Sequence, residues 1–194
     1  MFHKLNRTNL NVFSAKVASA ALLMAAVTLT SAPSYASTQG TLGATSQGSV
    51  QITVSIPSRV QISGLTDIAF TDVELGSQVS RAQNNCVWSN TATKGYTITA
   101  TGSGTGGAFT LSSGQLAPIT YGVQWAQTSG QTSGTALIPS AASAGFVSTA
   151  LLPTCIAAPS SSSSLIVTVA ASQLETMVSS TNYTGTLTLL VNPS

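Results

Sequence analysis

Few side chains in this sequence can do chemistry. There is one histidine, His3; four carboxylates, Asp67, Asp72, Glu74 and Glu175; and two thiols, Cys86 and Cys155. His3 lies in a leader-like segment, so residues 37–194 hold no imidazole. This argues against Ser-His-Asp and Cys-His nucleophiles, His-ligated zinc and imidazole acid–base work. Two thiols are too few for a Cys-ligated metal. Asp67, Asp72 and Glu74 are close in sequence, and a glycosidase-like pair or a calcium loop is the sharp reading of them. Their spacing fits no metal loop, so a solvated connection between strands is preferred. GSGTGG at 102–107 precedes a strand, not a helix, and so lacks the helix N-terminus that holds phosphate. Trp88, Tyr96, Tyr121 and Trp125 could line a sugar-binding face, but they occupy inward strand positions and read as core. We expect no enzyme, no cofactor and no metal site.

The leader explains where His3 sits. Lys4, Arg7 and Lys16 make a basic start, and residues 17–30 form an apolar run too short for a comfortable membrane span. Ser34-Tyr35-Ala36 supplies small residues before a cut, so residues 1–36 read as a signal peptide rather than an anchor. Beyond it, Arg59, Arg81 and Lys94 stand against four acids, a net charge of −1. No basic patch exists to attract nucleic acid, and no later stretch is apolar enough to span a membrane. In an exported chain, Cys86 and Cys155 most simply form one disulfide. The closed loop of roughly 70 residues is worth about 4 kcal/mol in the chain-entropy model.

The elements that position these groups are short and alternating. Residues 59–65 read as a strand with Val60 and Ile62 inward, and 66–76 as irregular. An apolar element begins at Cys86-Val87-Trp88. Residues 95–101 alternate through Tyr96, Ile98 and Ala100, and are expected to form a hairpin with 108–111. Residues 119–126 read as one strand with Tyr121, Val123 and Trp125 on one face. Residues 135–138 and 146–151 read as further strands. Pro159 and the five serines 160–164 read as a flexible loop. Residues 165–171 alternate again, 172–178 suit one helical turn, and 183–191 place Tyr183, Gly185, Leu187, Leu189 and Val191 on one face. Short strands with frequent turn signals and no long amphipathic helix predict an all-β antiparallel sandwich.

One segment stands apart. In residues 41–56, Gly48, Val50, Ile52, Val54 and Ile56 alternate with polar Ser49, Gln51, Thr53 and Ser55. This is a strand pattern with one buried face. It follows a loose Ser/Thr/Gly leader and is cut off from the next strand by Pro57, which cannot donate to a ladder. So few charges also leave sheet edges without their usual protection.

The sequence GSVQITVSIPSRVQI at 48–62, with NYTGTLTLLV at 182–191, resembles pilin subunits of archaic chaperone–usher pili, which are related to spore coat U domain proteins. The resemblance is recognisable at the two ends of the chain; residues 59–65 depart from many relatives in holding no cysteine. It implies an immunoglobulin-like sandwich missing one strand, organised as signal peptide 1–36, donor-strand extension 37–57 and incomplete domain 58–194. It implies that Gly48, Val50, Ile52, Val54 and Ile56 fill a neighbouring subunit's groove. Tyr183, Gly185, Leu187, Leu189 and Val191 would then form the edge on which a periplasmic chaperone docks. The implied partners are that chaperone, an outer-membrane usher and other pilus subunits. The implied location is a fimbrium at the cell surface, serving adhesion or biofilm formation. The competing expectation is a secreted sandwich, completed by its own residues 41–56, that binds carbohydrate or a surface.

Overall fold

The computed structural model describes residues 37–194; the signal-peptide reading of residues 1–36 lies outside the described residues. The chain divides into two units, Met1–Val54 and Ser55–Ser194. The second is an antiparallel all-β sandwich. Its strands are β1 (Val60–Ser63), β2 (Val79–Ser89), β3 (Gly95–Gly102), β4 (Thr110–Leu111), β5 (Ile119–Thr120), β6 (Gly122–Ala126), β7 (Thr135–Ala136), β8 (Phe146–Val147), β9 (Ser163–Val169) and β10 (Leu187–Pro193). A single helical turn, α1 (Ala171–Leu174), follows β9. One sheet runs β1-β2-β9-β6-β7, the other β10-β3-β8, and β4 pairs with β5 alone. Among the described residues, no helix is long and apolar enough to cross a membrane.

The core lies between the sheets where the alternation is cleanest. Tyr96, Ile98 and Ala100 of β3 are wholly buried, opposite Val123 and Trp125 of β6 and Leu165, Val167 and Val169 of β9. Trp125 Nε1 donates to Tyr96 Oη at 3.1 Å, so the largest buried ring finds its one required partner across the sandwich. Burial pushes the Tyr96 phenol up to about 12, against the opposing effect of that hydrogen bond. Phe109 and Tyr121 stack with ring centroids 5.6 Å apart, and burial raises the Tyr121 phenol too.

Several sequence expectations are corrected. β2 begins at Val79, well before Cys86, because pairing with β9 carries it through Arg81, Gln83 and Asn84. These exposed or half-buried residues give no apolar signal. Residues 95–101 and 108–111 are not a hairpin: β3 pairs with β10 and β8, while β4 pairs with β5. The turn at Thr105–Gly107 diverts the chain instead. Residues 119–126 split at Tyr121, whose N–H goes to the Phe109 carbonyl, so the chain leaves β4 and joins β9.

The serines at 162–164 are not a flexible loop. Ser162, Ser163 and Ser164 are buried, and β9 starts at Ser163. The Ser162 hydroxyl accepts from the Val87 N–H and donates to the Val87 carbonyl, both at 2.9 Å. Ser163 Oγ bonds Asn85 Oδ1, and the single Ser164 O–H has two acceptors in reach, Asn84 Oδ1 at 3.1 Å and the Thr128 carbonyl at 3.0 Å. Small hydroxyls both donate and accept, so they serve as well in a buried polar seam as in a loop. Cys86 and Cys155 form the expected disulfide, with Cα atoms 5.9 Å apart, tying β2 to the loop after β8. Half-buried Trp88 packs beside that disulfide rather than in the main core.

Candidate functional site

β1 and β10 are each paired on one side only, as are the two-residue strands β7 and β8 at the opposite ends of the two sheets. β1 pairs with β2, register Val60↔Ser89 to Ser63↔Cys86. β10 pairs with β3, register Leu187↔Gly102 to Pro193↔Tyr96. Each is the terminal strand of its sheet, and the two approach one another without pairing. Between these edges the inner faces are not sealed. Val60 and Ile62 of β1, and Leu187, Leu189 and Val191 of β10, pack on the core but are only half-buried. Ile68, Phe70, Val73 and Met177 share that state.

The cause is local. β10 alternates, with Leu187, Leu189 and Val191 inward and Thr188, Leu190 and Asn192 outward. Its inward row has β3 as neighbour on one side and no strand on the other. A half-covered apolar row beside a free backbone edge is the geometry in which an added strand gains both a ladder and pockets. The structure therefore brings together Leu187, Leu189 and Val191 of the expected edge. Tyr183 and Gly185 fall before β10: the Tyr183 hydroxyl accepts from the Val178 N–H at 3.4 Å. A Cβ on Gly185 would lie 2.7 Å from the Thr110 carbonyl oxygen, so this close backbone approach excludes other residues.

Residues 41–56 are not a strand in the structure. They form no ladder beyond an isolated bridge between Thr38 and Ser49. Every one is exposed, with Val50, Ile52, Val54 and Ile56 at 74%, 84%, 88% and 79%. The alternation specifies a strand only when a partner supplies the hydrogen bonds, and a lone extended segment has none. Four large aliphatic side chains in a row at this exposure amount to an apolar stripe with nothing covering it.

Sequence reasoning missed Ile68, Phe70, Val73 and Met177. The first three sit in the stretch read as irregular and acidic. Their signal was the i, i+2 spacing of Ile68 and Phe70 amid polar residues. Asp67, Asp72, Glu74 and Glu175 are exposed. Among the described residues no three metal-binding side chains gather.

Two concavities on the domain are shallow. One, of about 410 Å³, is walled by Phe109, Tyr121, Val123, Leu137 and Pro139 and holds no charged group. The other, of about 320 Å³, lies among Phe70, Asp72, Val73, Glu74 and Arg81. Neither sets a nucleophile against a base. No family model and no curated protein sequence matches this chain.

Proposed function

We propose that this chain is a structural subunit of a surface fibre, polymerised by donor-strand exchange after chaperone–usher export. One observation carries the reading: an exposed apolar row at Val50, Ile52, Val54 and Ile56 occurs in the same chain as a half-covered apolar row between two unpaired sheet edges. The first lacks a cover and a ladder. The second lacks a strand. A sandwich of immunoglobulin type short of one strand satisfies both needs by taking the row from the next subunit.

The energetics fit a strand that is slow to leave. Burying four aliphatic side chains contributes about 6–12 kcal/mol gross. Ordering the nine residues 48–56 opposes this by about 9–18 kcal/mol. The difference is made up by ladder hydrogen bonds, at about 0.5–1.5 kcal/mol each, and by covering the acceptor's own exposed core. A free subunit carries both exposed features at once, which is the state a periplasmic chaperone would mask before delivery to an outer-membrane usher. So few charges suit a protein whose edges are filled in the assembled fibre rather than defended by lysines. The resemblance of the two chain ends to archaic chaperone–usher pilins supports the same reading and points to adhesion or biofilm as the setting.

The test is Val54→Asp in the exported chain. A charge in the middle of the donor row should abolish SDS-resistant, heat-labile multimers while leaving the folded body intact by circular dichroism. Wild-type multimers from this variant would contradict the reading. So would a wild-type chain that stays a stable monomer without helpers, the behaviour of a self-completed secreted module.

A further inference from the structure

The segment ahead of the apolar row is bridged. Thr38 and Ser49 exchange both backbone hydrogen bonds: Thr38 N–H donates to the Ser49 carbonyl at 3.0 Å, and Ser49 N–H to the Thr38 carbonyl at 2.9 Å. The reciprocal pair closes a small loop whose C-terminal end is the first residue of the polar row. Gly48 makes the closure possible. A Cβ there would lie 2.9 Å from the Thr38 carbonyl oxygen, closer than real side chains allow, and 3.6 Å from the Gly40 nitrogen. At Gly40 the near neighbour is a side chain instead, Ser46 Oγ, with the Gln47 backbone 3.2 Å from the Cβ position. Glycine at 48 lets the two backbones meet.

We infer that the Thr38/Ser49 bridge is a clasp that holds the start of the exchanging segment out of play and must open before Gly48 can enter a neighbour's groove. This rests on the donor-strand reading and adds a regulatory step to it. The backbone groups of Ser49 that the clasp consumes are ones a complete ladder would need. Residues from Val50 onward form no such bond and are free to pair first. Exchange therefore starts at the Val50–Ile56 end and finishes at Gly48. Two hydrogen bonds set against the closure entropy of a short loop leave only a small balance. The clasp thus sets a rate, not an outcome.

Thr38→Pro removes one clasp donor without touching residues 48–56, and deletion of residues 38–46 removes the loop. Gly48→Ala is unsuitable, since it both opens the clasp and enlarges the inserting residue. The exported full chain and both variants are followed by the rate of SDS-resistant multimer formation and by hydrogen exchange at the Ser49 amide. The clasp predicts a slow Ser49 amide in the wild type, a fast one in the 38–46 deletion, which loses the Thr38 carbonyl it donates to, and multimer formation faster by about threefold in both variants, the scale of one weak backbone hydrogen bond. Multimers forming at an unchanged or lower rate, or equal Ser49 exchange in wild type and the 38–46 deletion, overturns the clasp while leaving strand exchange standing. No multimers from any chain overturns strand exchange, and the clasp's role in it falls as well.

Discussion

The centre of the sandwich and its β1/β10 side are built from the same kinds of residue and end in different states. In the centre, β9 lies between β2 and β6, and all its residues but Thr168 are buried. Trp125 meets Tyr96, and three serines pair with Asn84, Asn85 and Val87. On the β1/β10 side, Leu187, Leu189 and Val191 have the same alternation as Leu165, Val167 and Val169 but remain half-buried. The difference is not hydrophobicity. It is the absence of a neighbouring strand. A side chain's burial in a sheet is completed by the strands beside it as much as by the sheet facing it. The β1/β10 side is therefore the less completely buried part of the fold.

Mutations at the centre should cost most. Trp125→Ala removes a fully buried ring and leaves the Tyr96 hydroxyl without its donor. A loss of about 3–5 kcal/mol in urea unfolding is expected. A loss below about 1 kcal/mol would mean that the centre is no better packed than the edge. Separating the Cys86–Cys155 link by the double change to serine should cost about 2–5 kcal/mol. The readout is the denaturation midpoint with and without reductant, and insensitivity to reductant would remove the disulfide from the account of stability.

Alkali probes the same centre through one group. The Tyr96 phenol is held up to about 12 by burial, above its usual value of 10.0. Between those two values the unfolded chain loses its proton while the folded chain keeps it, so stability falls as pH rises. The contribution is intact below pH 10 and, if the full shift is realised, about 2–3 kcal/mol is lost by pH 12. Tyr96→Phe, which cannot ionise, should flatten that alkaline slope. An unchanged slope would assign the loss to other groups.

The smallest effect belongs to the open side. Leu189→Ala should destabilise the isolated chain by only about 1–2 kcal/mol, below the range for a fully buried leucine, since its side chain is already partly hydrated. The same substitution should weaken multimers far more. Equal damage to monomer and multimer would erase the distinction between the two regions.

Much of the centre was legible because its information is local. Tyr96, Ile98 and Ala100, and Leu165, Val167 and Val169, announce their faces by period-two alternation, and two cysteines in an exported-looking chain announce their bond. Polar and non-local features were not legible. Residues 80–85 became strand because β9 lies beside them, and Ser162–Ser164 became buried because backbone groups of β2 needed partners. The mistaken pairing of 95–101 with 108–111 has the same origin: proximity in sequence suggested a hairpin, and β10, far along the chain, took the position. For the candidate site, the apolar rows at 50–56 and 187–191 could be read directly. That β1 and β10 would both lack a second neighbour could not, because an unfilled position leaves no mark on the residues beside it.

The most direct test of an unfilled position is to fill it. A synthetic peptide of residues 48–56 is added to the full chain carrying Val54→Asp, whose own row is spoiled, and backbone hydrogen exchange is followed. The account predicts one peptide per chain, slow to dissociate, with new protection along Val60–Ser63 and Leu187–Pro193 and little change in β9. A chain that ignores the peptide, or whose β1 and β10 amides are already as protected as those of β9, would contradict it.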